Sequence, residues 1–217
     1  MMDPFRLCLA LGPVAIYVLL IGAINLFRRP FLVSGTRDAA ALGLAVSGLV
    51  IVGPVELFFP VTASLRFGPF IWVLLIVLYA LSSVLLLLLL RPRLVIYNIT
   101  KEELRPILAE LIAELDAEAR WAGDGSVLPS LGVQLHVEGL PTRRNVSLVA
   151  TGPDQNHQGW RQLELALGAA LSRLEVPRNP QAMVLLSAGG LLALSVILAI
   201  AWDPQAVAQS LFELLRL

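Results

Sequence analysis

The chain has 217 residues, 57% of them apolar and only 15% charged, with a mean hydropathy of +0.79, more apolar side chain than one soluble core of this size uses. This excludes an ordinary soluble domain and points to an integral membrane protein. The 16 basic and 16 acidic residues cancel, so no global charge argues for a nucleic-acid partner.

Four runs reach the roughly 20 helical residues a bilayer crossing requires: Leu7 to Phe27, Ala39 to Phe59, Gly68 to Leu90 and Ala182 to Trp202. The first is read as a retained helix and not as a cleaved signal peptide, because it has full spanning length and Arg28-Arg29-Pro30 follows it. Cys8 lies inside it; a single cysteine excludes an intramolecular disulfide and a multi-cysteine metal site. The expected fold class is a membrane all-α protein with four transmembrane helices arranged 3+1 and a small inserted α+β domain. The expected boundaries are 1–90 for three spans, 91–181 for the domain, 182–202 for the fourth span and 203–217 for an amphipathic C-terminal helix.

Arginine placement predicts orientation, because basic residues beside spans favour the cytoplasmic side. Arg28, Arg29 and Arg37 lie between the first two runs, and Arg91, Arg93 and Arg178 flank the inserted segment, against Arg6, Arg66 and Arg216 on the other side. Both termini are therefore expected outside and residues 91–181 in the cytoplasm. Lys101 is the only lysine among the 16 basic residues, a bias expected of GC-rich coding and so of a bacterial inner membrane.

Within the inserted segment, RLVIYNI reads as a strand, and Thr100 with Glu103 reads as a capping box opening a helix. That helix repeats Leu104, Ile107, Leu108, Leu111, Ile112 and Leu115 at helical spacing, with Pro106 expected to disturb its start. GDGSVLPS is turn-rich, with at most a short strand. GVQLHVEG and RRNVSLVA alternate as a hairpin, and Trp160, Leu163, Leu167, Leu171 and Leu174 mark a last helix over about 159–174. The expected order is β-α-β-β-α. Past the fourth run, Gln205, Gln209, Glu213 and Arg216 oppose Val207, Leu211, Leu214 and Leu215, the pattern of an interfacial or docked helix.

Candidate sites follow from charge and size. Glu56, beside Pro54, falls near the outer end of the second run and is expected to pair with Arg66; a carboxylate in hydrocarbon is costly unless partnered. Ala39, Gly43 and Ser47, and separately Gly189 and Ala193, recur every four residues, which permits close helix packing within a bundle or in a homo-oligomer. Glu110, Glu114 and Glu118 are expected on one helical stripe that could dock a basic partner. Arg143 and Arg144, on the hairpin, are candidates for contact with an anionic leaflet. His136-Val137-Glu138 matches the opening of a zinc-deaminase signature, but the following P-C-x-x-C is absent, and no cofactor or metal is expected. Asn98-Ile-Thr100 and Asn145-Val-Ser147 fit the glycosylation sequon, which a cytoplasmic bacterial domain never presents to the transferase. These features predict a non-enzymatic scaffold, assembly or regulatory subunit whose contacts are the lipid bilayer and a membrane or cytoplasmic protein, with no nucleic acid. The alternative is a small transporter or channel subunit using Glu56.

Overall fold

A computed structural model describes residues 4–55, 68, 70–139 and 144–215. Four of its helical stretches are long and apolar enough to cross a membrane: α1 (Pro4–Leu26), α2 (Gly35–Val50, with its continuation to Gly53), α3 (Phe70–Leu89) and α6 (Gln181–Trp202). α2 continues through one π-type turn, Ile51–Val55. Pro54 lies within that turn and has no N–H to return to an earlier carbonyl. The remaining elements are β1 (Phe31–Ser34), β2 (Arg93–Tyr97), α4 (Lys101–Leu115), β3 (Arg120–Ala122), β4 (Gly125–Leu128), β5 (Val133–Gly139), β6 (Asn145–Ala150), α5 (His157–Ser172) and α7 (Pro204–Leu215).

The chain divides into two units, residues 1–22, 40–89 and 183–217 in one, and 23–39 with 90–182 in the other. In the first, glycine sets how closely backbones approach. A Cβ on Gly48 of α2 would fall 1.8 Å from the Leu9 carbonyl oxygen of α1, and one on Gly189 of α6 would fall 2.9 Å from the Leu19 side chain. Gly43 has open space around the same position, although its carbonyl accepts from the Tyr79 hydroxyl of α3 at 2.8 Å. The approach of α2 to α1 thus lies beside, and not on, the small-residue face expected at Ala39, Gly43 and Ser47. The backbone approach occurs at Gly48, one position round the helix, while Ser47 bonds the Leu44 carbonyl of its own helix at 2.8 Å. Gly189 is buried and Ala193 is half-buried.

In the second unit a six-stranded antiparallel sheet has the order β1-β2-β6-β5-β4-β3. Period-two alternation sends Leu94 and Ile96, Val133, Leu135 and Val137, and Val146, Leu148 and Ala150 to one face, where they meet Leu104, Leu108, Leu111 and Ile112 of α4 and Trp160, Leu163, Leu167 and Leu171 of α5. The register agrees, since Val137 stands opposite Leu148 and Leu148 opposite Leu94. The result is two helices on one sheet face.

Two features correct the expected β-α-β-β-α order. GDGSVLPS contributes to a β3–β4 hairpin, turned at Gly123 with φ +63°, where a residue without a Cβ is needed. The first strand comes from outside 91–181 altogether: β1 follows α1 and pairs Leu32 with Ile96 and Val33 with Val95. Four residues directly after an Arg-Arg-Pro turn are too few to show an alternation in sequence.

Candidate functional site

The sheet unit concentrates its polar chemistry where chain segments meet. At the head of α4 the Thr100 hydroxyl accepts from the Glu103 N–H at 3.3 Å, and Glu103 Oε2 accepts from the Thr100 N–H at 3.0 Å, which completes the capping box. Arg144 adds a fork, Nη1 to Glu103 Oε1 at 3.2 Å and Nη2 to Oε2 at 2.8 Å, and also donates to the Asn98 carbonyl at 3.3 Å. Partial burial pushes the Glu103 carboxyl up, but the Thr100 N–H and the Arg144 guanidinium outweigh it and hold it below its ordinary value. Asn98 is fully buried at φ +65°, a conformation Asn tolerates better than most residues. Its N–H donates to the Arg144 carbonyl and its side-chain amide to the Phe27 carbonyl.

Three further ties join distant segments of this unit. Tyr97 of β2 donates its hydroxyl to Asp38 of α2 at 2.5 Å, and Arg93 lies 3.7 Å from the other carboxylate oxygen; Gly35 makes room for the Arg93 side chain, which a Cβ would meet at 2.0 Å. Asn179 donates to Asn25 at 2.8 Å while its own oxygen caps the Gln181 N–H at 3.0 Å, and both asparagines are buried. The Val176 N–H donates to the Arg28 carbonyl at 2.9 Å. At the tail of α4, Asp116 accepts from the Ser130 N–H at 2.8 Å, the Ser130 hydroxyl at 2.9 Å and the Glu118 N–H at 3.0 Å. Burial raises this carboxyl, and those donors more than reverse the effect.

The sequence-predicted residues divide accordingly. Glu56, Arg66 and Arg143 lie outside the described residues. Arg144 does not stand free on the surface: its side chain keeps 15% of its accessible surface and is held by Glu103 at the mouth of α4. Glu118 is corrected, since α4 ends at Leu115 with Asp116 as its cap. The acidic stripe is Glu110 and Glu114, both exposed, with an exposed Glu118 on the chain beyond. His136 and Glu138 lie on β5, half-buried and exposed respectively, and the described residues hold no group of three His, Cys, Asp or Glu placed for a metal.

Sequence reading missed a surface of the second unit where residues around the end of α1 meet α5. Ile24, Phe27, Arg28, Arg29, Pro30, Phe31 and Ser172 line an open groove of about 400 Å³. The signal for it was present as an aromatic followed directly by two arginines at the end of an apolar run. No known protein family, curated protein or solved structure matches the chain.

Proposed function

We propose that the chain is a non-enzymatic membrane scaffold or assembly subunit that holds its sheet unit at the cytoplasmic face and recruits a basic protein partner through Glu110 and Glu114. The observation that carries this reading is the pairing of β1 with β2. Between these strands lie α2 and α3, both apolar enough to span. Strands can bond only on one side of a bilayer, so α2 and α3 must both cross or both stay out, and their composition favours crossing. The same unit takes in the end of α1 and the start of α2, knitted to the sheet by Asn98, Asp38, Asn25 and Asn179. Asp38, Glu103 and Asp116 are each engaged in holding two chain segments together, which suits a mechanical role. The exposed Glu110 and Glu114 remain as a repulsive pair, costing a few tenths of a kcal/mol at that spacing, and a basic partner relieves that cost.

Impermeant thiol labelling of single-cysteine variants tests placement: position 209 should label in intact cells, and positions 36 and 117 only after permeabilisation. Crosslinking with Glu110→Lys and Glu114→Lys together should lose a partner that wild type captures. Labelling of position 117 from outside, or capture unaffected by charge reversal, contradicts the reading.

A further inference from the structure

We propose that the groove beside the end of α1 is a binding site for one anionic phospholipid, whose phosphodiester sits on Arg28 and Arg29 and whose acyl chain runs over Phe27 and Ile24. Arg28 and Arg29 are exposed and make no ion pair among the described residues, whereas Arg93 and Arg144 of the same unit are both engaged by carboxylates. Two guanidiniums side by side on a short turn suit a phosphate, which accepts paired N–H donors. The rest of the groove is apolar: Phe27 and Phe31 are 66% and 48% exposed, with Ile24 and Pro30 beneath. Its volume, about 400 Å³, falls in the range of roughly 300–1,000 Å³ usual for small-ligand clefts.

Charge and location together select a lipid over a soluble phosphate compound. The groove begins in the last turn of a membrane-length helix, and the order apolar helix, aromatic, arginine is that of a segment passing from hydrocarbon through the interface to the headgroups. The backbone of the site is already fixed, since the Phe27 carbonyl accepts from Asn98 and the Arg28 carbonyl from Val176. Binding then orders side chains alone.

Native mass spectrometry of the full chain in neutral detergent, with phosphatidylglycerol or phosphatidylcholine added, tests the site. The expected result is one retained phosphatidylglycerol and far less phosphatidylcholine. Arg28→Gln with Arg29→Gln should weaken retention by about 10- to 100-fold, the effect of losing charge-assisted hydrogen bonds. The double lysine variant should retain most of it, and Arg161→Gln on exposed α5 should change nothing. Ser172→Trp, which fills the groove and keeps both charges, should also displace the lipid. Equal retention of the two lipids, or full retention in either the double glutamine or the tryptophan variant, overturns the proposal. Displacement by millimolar glycerol phosphate as effectively as by phosphatidylglycerol also overturns it, in favour of a soluble ligand.

Discussion

Asp116 closes α4 twice, its N–H donating to the Ile112 carbonyl at 2.9 Å and its carboxylate gathering Ser130 and Glu118. Its pKa and that of Glu103 are both lowered in the folded chain. For a lowered carboxyl the unfolded state takes up protons first as pH falls, so its contribution to stability is complete above the ordinary carboxylate range of about 4 and is lost as pH drops through the depressed native value. Thermal unfolding in detergent should therefore show a falling Tm below about pH 4.5, and Asp116→Asn should make that acid limb shallower while lowering the Tm at pH 7; an unchanged slope would remove Asp116 from the account. How much of this was legible depends on range. Thr100 and Glu103 are three residues apart, and their box could be read from spacing alone. Arg144 lies 41 residues from Glu103, and no local rule names a tertiary partner. Glu118 was misplaced because the apolar period gives no stop signal, whereas an aspartate that bonds the chain beyond it competes with further helix.

At the scale of elements, helix and strand types followed from period and capping, and contact positions did not. Three of the apolar helices and the β5–β6 hairpin agree with their sequence patterns to within a few residues, because each buries or exposes a whole face, whereas the second run starts four residues earlier than expected and its expected end at Phe59 lies outside the described residues. The contact between α1 and α2 falls at Gly48, which the four-residue spacing did not mark. Four-residue spacing marks a row of small side chains, but which of them meets a neighbouring backbone is set by where the helices cross. Gly48→Ala must push its methyl into the Leu9 carbonyl, with no flexible side chain to yield, and overpacking of this kind costs about 1–3 kcal/mol. Gly43→Ala, which has open space, should be neutral or slightly stabilising in the helix. Unfolding of the two variants in detergent separates them; equal loss at both positions would mean that α1 and α2 cross elsewhere.

For the molecule as a whole, the inserted segment does not complete its own sheet. Residues 91–181 made as a soluble fragment leave the β2 edge, Arg93–Tyr97, without the partner that covers it, and a bare apolar edge strand promotes association. That fragment should aggregate, while one carrying residues 30–35 through a flexible linker should be monomeric by size-exclusion chromatography; a monomeric, equally stable short fragment would show β1 to be dispensable. The sequence hid this because β1 is short and distant from its partner: four residues in a loop that reads as a connection, pairing with a strand some sixty residues later. The same separation governs the order of events during synthesis. β1 leaves the ribosome before α2 and α3 exist, and it must wait unpaired until β2 has followed them. A chain that inserts only one of these helices strands β1 and β2 in different compartments, where no folding time can join them. In the proposed membrane arrangement, closure of the sheet therefore requires that both helices insert, and a misinserted copy keeps an open β2 edge.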